Sequence, residues 1–462
     1  MDTKQLKQRI LDLAIRGKLV PQDPNDEPAS VLLERIRTEK EQLIAQGKLK
    51  KSKTKSSDKP HYENVPFEIP ESWEWCKLDE CSTKITDFVA SGSFASLREN
   101  VTYYKEENYA ILVRTLDFGH HFKKDLVYTD KHGYDFLRNS NLIGGELILS
   151  NIGASIGKVF IVPKLDKLMT LGPNSILVKT CSEQETKFLY CAFSSHWGWD
   201  LLHEISSATA QGKFNKTDLK NVLIPLPPLA EQQRIVTEVE KWFALIDELE
   251  ANKEDLKEYI KQVKSKVLDL AIHGKLVPQD PNDEPAIELL KRINPNFKPC
   301  DTSHYENLPA GWSICLLEDI IDYEQPTQYI VASTDYDDEY KTPVLTAGKS
   351  FILGYTNESN GIYNNLPTII FDDFTTDSRL VNFPFKVKSS AMKILQVNKD
   401  ISIQYVAYFM SITRLAGNTH KRYWISEYSK IPIPIPPKAE QDRIVQIISE
   451  IENKIDTISA EL

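Results

Sequence analysis

The sequence predicts an α+β fold in which two mixed α/β heads are separated by two long antiparallel helices, circularly permuted about a pseudo-twofold. Three observations carry that prediction. Residues 11–29 read LDLAIRGKLVPQDPNDEPA and residues 268–286 read LDLAIHGKLVPQDPNDEPA, differing only at Arg16 and His273. Residues 224–236, IPLPPLAEQQRIV, return as residues 433–445, IPIPPKAEQDRIV. The stretches between these copies differ from each other, so one frame occurs twice and carries two unlike heads.

The bulk properties agree with several domains. At 462 residues the chain exceeds one ordinary domain, and a 41% hydrophobic share is ample for buried cores. No apolar run could span a bilayer, and the start, MDTKQLKQRI, lacks the apolar stretch of a signal peptide. The six cysteines form no CxxC pair and no zinc spacing, and the histidines are scattered, so reduced thiols in a cytoplasmic protein are expected. The net charge of −10 argues mildly against a chain that grips nucleic acid unaided. That charge is uneven: residues 340–432 hold 11 Lys and Arg against 6 Asp and Glu, whereas residues 66–224 hold 17 against 20.

Residues 1–65 form the first frame segment. A helix is followed by the GKLVPQDPNDEPA turn region, a short helix ending in LLERI, and the basic stretch 47–60, GKLKKSKTKSSDKP. That stretch reads as a solvated linker, with a phosphate-touching arm as the alternative. Residues 66–224 form the first head, with β-rich runs such as ELILSNI and KVFIVP and a helical stretch near 186–205. Residues 225–307 form the central frame segment. There Ile235, Val239, Trp242, Ile246, Leu249, Lys253, Leu256, Ile260, Val263, Val267 and Leu270 alternate spacings of four and three, the seam of a long helix that must pack on another helix. Residues 308–432 form the second head, with TIIFDDF and FPFKVKS and a helical stretch near 403–415. Copies of HYEN, at His61 and His304, mark the entrance to each head.

Residues 433–462 close the chain. Ile444, Ile448, Ile451, Ile455, Ile458 and Leu462 repeat the spacing of positions 235–253, while Leu6, Ile10 and Leu13 match Val263, Val267 and Leu270. The second long helix is thereby cut near its middle, with its halves at the two termini. Two separate short coiled coils, or a homodimer seam, remain the alternatives.

Catalytic signatures are missing. The chain has no GxxxxGK[ST] loop, no GxGxxG after a strand, no HExxH and no Asn-Pro-Pro-aromatic or Asp-Pro-Pro-aromatic tetrapeptide. Asp372 and Asp373 in IIFDDFT are the best metal candidates, but a structural or base-reading role suits them better. What the heads do offer is chemistry for reading bases. Residues 153–158, GASIGK, place Lys158 beside tight turns where backbone can approach phosphate, although an ordinary β-turn explains them as well. Gln211, Lys213 and Asn215 cluster in the first head, and His420, Lys421, Arg422 and Tyr423 take the matching place in the second. Lys349, Arg379, Lys386 and Lys388 add cations to an aromatic-rich β stretch, and Arg114 joins the candidate set. No metal site is expected.

The twin P-(L/I)-P-P-x-A-E-Q-x-R-I-V segments, the twin LDLAIxGKLVPQDPNDEPA segments, and the head motifs ELILSNIGASIGKVFIV and TIIFDDFTTDSRLVNFPFKVKSSAMKIL resemble the specificity subunits of type I restriction–modification systems. The resemblance covers nearly the whole chain. It implies two target recognition domains, each reading one half of a bipartite, asymmetric DNA site, with the helices as a ruler between half-sites. It further implies a non-catalytic chain that docks two methyltransferase subunits and two restriction subunits. S-adenosylmethionine, ATP and Mg2+ would then sit on those partners and no cofactor on this chain. Like faces of B-form DNA recur roughly every 34–36 Å, a spacing that two heads on a paired rod can meet. A DNA-cleaving enzyme using Asp372 and Asp373, and a coiled-coil adaptor with protein-binding heads, are the rival readings.

Overall fold

Each frame copy folds around the same buried set of hydrogen bonds. The computed structural model describes residues 2–47, 65–206, 212–300, 305, 307–347, 350–415 and 422–461. The chain divides into two units, Met1–Ala251 and Asn252–Leu462. Most of the basic stretch 47–60 lies outside the described residues.

In the first unit, α1 (Thr3–Ile15) begins at Asp2, whose carboxylate accepts from the Lys4 and Gln5 amides. It ends at Gly17, where φ is +66° and an added Cβ would lie 2.4 Å from Pro70 Cγ. Both the left-handed backbone and the close approach require glycine. After α2 (Ala29–Ala45) the chain enters the head through β1 (Glu74–Lys77). The head contains β2 (Lys84–Asp87), α3 (Phe94–Asn100), β3 (Ala110–Val113), α4 (Thr115–Gly119), β4 (Tyr128–Thr129), α5 (Lys131–Phe136), β5 (Asn141–Leu142) and β6 (Leu147–Ser150). It continues with β7 (Val159–Ile161), β8 (Met169–Leu171), β9 (Ser175–Lys179), α6 (Glu183–Ser194), α7 (His196–Glu204) and α8 (Lys216–Lys220). The exit strand β10 (Leu223–Leu226) lies antiparallel to β1, with Glu74 opposite Leu226. Two four-stranded sheets form the head: β2-β9-β6-β7, wholly antiparallel, and β4-β3-β8-β5, with β3 and β8 parallel.

Pro227 and Pro228 cannot continue a ladder, and α9 (Leu229–Ile272) starts directly after them. Its 44 residues extend from the first unit into the second. In the first unit α1 lies antiparallel along it: Ile10, Leu11 and Ala14 pack against Ile235, Val236, Val239 and Ile246, and Lys7 Nζ reaches Asp247 at 2.5 Å.

The second unit repeats the plan with α10 (Ala286–Ile293), β11 (Ser313–Leu316), β12 (Ile321–Glu324), β13 (Thr342–Leu345), β14 (Ile352–Thr356), β15 (Thr368–Asp372), β16 (Ser378–Val381), β17 (Lys386–Val387), β18 (Met392–Val397), α11 (Ile403–Ile412), β19 (Pro432–Ile435) and α12 (Lys438–Glu461). β11 and β19 form the entrance and exit pair. The main sheet is β12-β18-β15-β16, and β14-β13-β17 again carries one parallel pair, β13 with β17. In this unit α12 runs antiparallel along the second half of α9, with Ile444 and Ile448 in one core with Val267 and Leu268, and Lys264 Nζ 2.9 Å from Asp456. The Lys7–Asp247 and Lys264–Asp456 pairs occupy equivalent positions of the repeat.

The repeat also explains the shared residues of the frame. Trp73 Nε1 donates to Glu231 at 2.8 Å, and Trp312 Nε1 to Glu440 at 3.0 Å. Arg234 bridges Asp26 as Arg443 bridges Asp283. Gln232 and Gln441 each donate to the carbonyl of the first proline of their own Pro-Pro pair. Burial pushes the Glu231 carboxyl above its ordinary range, against hydrogen bonds from Trp73 and Gln22.

The seam departs from strict four-three spacing. Ile235, Val239, Ile246, Ile444, Ile448 and Ile455 are buried, and Leu249, Ile260 and Ile451 are partly buried. Trp242, Leu256 and Ile458 are instead exposed by 41%, 38% and 48%. In the first half of α9 the contact face runs through Ile235, Val236, Val239, Phe243 and Ile246, and Trp242 lies to one side of it. Among the described residues no helix is long and apolar enough to cross a membrane.

Candidate nucleic-acid interface

The same loop pair recurs in both heads. In the first, the turn after β6 is fixed to the segment before α8. Gly153 N donates to Gly212 O at 2.9 Å, Phe214 N donates to Asn151 O at 3.3 Å, and Asn151 Nδ2 donates to Phe214 O at 2.9 Å. Ile152 and Lys213 form an antiparallel bridge. Lys158 and Lys213 are exposed on this loop pair. Asn215 is exposed too, but its side chain caps α8 by accepting from the Thr217 and Asp218 amides. Beside it, Gly157 adopts φ +87° against α7, where a Cβ would sit 2.5 Å from Trp199 Cδ1. Trp199 is 46% exposed and stacks on His203 with centroids 3.6 Å apart. Arg114 faces inward, bonding the buried Asp117 at 2.6 Å and the Asp125 carbonyl at 2.5 Å.

In the second head the turn after β15 meets the segment starting at Arg422. Tyr423 N donates to Asp373 O at 2.9 Å and Trp424 N to Asp373 Oδ1 at 2.8 Å. Asp373 and Lys393 are buried, with Lys393 Nζ 3.3 Å from Asp373 Oδ2 and 3.0 Å from Gln325 Oε1. Asp372 accepts from the Phe374 and Thr375 amides. Both aspartates therefore hold the turn. Among the described residues no group of three or more His, Cys, Asp or Glu side chains is placed to hold a metal ion. Arg422 is exposed over the Phe374 ring, Arg379 over Phe351 and Lys388 over Tyr336, at 5.9, 5.2 and 5.9 Å from the centroids. Lys386 is buried, its ammonium on Glu358 at 2.9 Å and on the Asn360 carbonyl at 2.7 Å, and Tyr423 is buried as well. Gln211, Lys349, His420 and Lys421 lie outside the described residues.

Each head thus presents exposed cations, among them Lys213 and Arg422 on return segments held to the sheet by backbone hydrogen bonds. Residues 96–258 and 309–462 match the family described as the type I restriction modification DNA specificity domain. The chain belongs to the type I restriction–modification specificity subunits. As a specificity subunit it is 26% identical to the EcoAI specificity subunit of Escherichia coli, across 97% of this chain and 88% of that one. It is 50% identical to the EcoR124I/EcoR124II specificity subunit of Escherichia coli, over 35% of this chain and 43% of that one. The crystal structure of the HsdS subunit from Thermoanaerobacter tengcongensis shares the fold, with a TM-score of 0.50 and 16% identity across 86% of this chain and 93% of that one. Members of this family are named as specificity components, and catalysis is not assigned to this chain.

Sequence reasoning preferred a structural or base-reading role for Asp373 but missed its equivalence to Asn151, and it missed the Trp199–His203 stack. Asn151 and Asp373 stand in heads of unrelated sequence, and only strand pairing reveals their equivalence. Trp199 and His203 lie three and seven residues from His196, a helical spacing visible in the sequence. Its meaning depended on Gly157, which folding brings against the rings.

Proposed function

We propose that this specificity subunit reads a bipartite, asymmetric DNA site, with one half-site for each head. Its frame would hold two methyltransferase subunits, carrying S-adenosylmethionine, and two restriction subunits, using ATP and Mg2+. The observation that supports the reading is the pairing of one duplicated frame with two heads that carry different exposed cations, with Lys213 and Arg422 at matching places in their return segments. Lys158 and Lys213 stand in the first head; Arg379, Lys388 and Arg422 stand in the second. Equivalent mounts with unequal loops suit a duplex whose two half-sites differ. The overall acidity is consistent with partners supplying much of the phosphate contact, which dominates affinity for DNA.

Methylation mapping tests this in cells that express the subunit with its methyltransferase partner, against cells lacking the subunit. The expected result is a split motif with a fixed unspecified gap that disappears on deletion, with only one half changing when either head is exchanged. An active partner whose methylation pattern is indifferent to this subunit would sink the reading.

A further inference from the structure

We propose that Asn151 and Asp373 are equivalent positioning residues, each holding its head's cation-bearing return segment in the register that meets DNA. The inference rests on the half-site reading above and adds which buried groups set the geometry. Sheet register makes the equivalence. Leu149 pairs with Val159 on one side and Ile176 on the other, whereas Phe371 pairs with Ser378 and Lys393. Asn151 therefore matches Asp373, and Ile176 matches Lys393. Both heads clip the same return peptide, but with opposite hydrogen-bond polarity. Asn151 donates its amide to the Phe214 carbonyl; the Asp373 carboxylate accepts from the Trp424 amide.

That difference accounts for the buried lysine. An ionised carboxylate in the core needs a counter-charge, which Lys393 supplies. A neutral amide needs none, and the matching position is Ile176. The residue just before each clipped aromatic is the exposed cation, Lys213 or Arg422. Its backbone is fixed by the clip, and its side chain is exposed.

The test uses the intact subunit in complex with its methyltransferase partner. Asp373→Ala with Lys393→Ile removes the clip without stranding a charge. Asp373→Asn with Lys393→Ile instead installs the first head's neutral solution. Methylation rates are measured on duplexes altered in one half-site or the other, alongside amide exchange at residues 422–424. The alanine variant should speed exchange there and lose about tenfold or more of second half-site discrimination, the scale of one charge-assisted hydrogen bond. First half-site discrimination should be unchanged. The asparagine variant should stay within about threefold of wild type, since it keeps the bond, and Asn151→Ala should mirror the alanine variant on the first half-site.

Equal behaviour of the two double variants, or unchanged amide exchange, would overturn the clip. Faster exchange with intact discrimination would overturn its positioning role. A wild-type complex without any half-site preference would instead defeat the reading of function, and the exchange data would still decide the clip.

Discussion

Replacing Trp73 by phenylalanine isolates the interaction that ties the first head's entrance to α9. The indole is buried, its Nε1–H lies 2.8 Å from Glu231, and that carboxylate is itself fully buried. Losing a hydrogen bond to a buried charged acceptor costs about 1.5–3 kcal/mol. The vacated part of the indole, packed edge-on against Phe188, leaves a void costing about 1 kcal/mol or more. A total of about 2.5–4 kcal/mol is expected from these two contributions. In a Glu231→Gln background the lost bond is neutral and worth about 0.5–1.5 kcal/mol, so a double-mutant cycle should show about 1–2 kcal/mol of coupling. Urea unfolding, followed by exchange of amides in each unit, measures the effect where it arises. Trp312→Phe, which breaks the equivalent bond to Glu440, should weaken the second unit by a similar amount. A loss below about 0.5 kcal/mol, or an equal loss in the glutamine background, would refute the view that the bond anchors the head.

Other expectations follow from separate features. Burial raises the Glu231 carboxyl, so its charged form opposes folding. The first unit should therefore gain stability as pH falls through the raised folded pKa toward the ordinary glutamate value, and Glu231→Gln should flatten that slope in denaturation curves taken across pH. Lys386→Met removes one charge-assisted partner of Glu358, which keeps its bonds from the Ala332 and Ser333 amides, and should destabilise the second unit by about 1.5–3 kcal/mol in the same assay. Arg422→Ala should leave the unfolding transition unchanged yet weaken DNA retention and shrink the salt slope by about one, read from binding against ionic strength. A four-residue insertion between Glu250 and Tyr259 adds about 6 Å of helix, equal to about two base pairs of rise, so mapped methylation should show a longer gap. An unchanged gap would end the ruler idea.

The frame was legible because both of its copies are printed in the sequence. The apolar spacing placed α1 and α12 along α9, and the Pro-Pro pairs marked the start of each frame helix. The four-three stripe put Trp242 on the contact face where the fold uses Phe243, and it did not mark Leu256 and Ile458 as exposed. The heads were less legible. Lys386 and Lys388 look alike in FPFKVKS and, two apart, would share a strand face, yet the strand ends at Val387 and only Lys386 has a partner at Glu358, so the first is buried and the second is outside. Arg114 entered the candidate set without its partner in view, because nothing in the sequence marks Asp117 as buried. Asn151 and Asp373 were beyond reach, since their equivalence lies in strand register between heads without common sequence.

The β1–β10 and β11–β19 pairs have a consequence for inheritance. Each brings the two ends of a head together as neighbouring strands, about 5 Å apart. Whatever is spliced between them arrives with its ends already adjacent and need not close a loop. The Trp–Glu and Arg–Asp contacts of the mount belong wholly to the repeats flanking that splice. A lineage could therefore exchange one head for a stranger in a single crossover pair and leave the other head and its mount untouched.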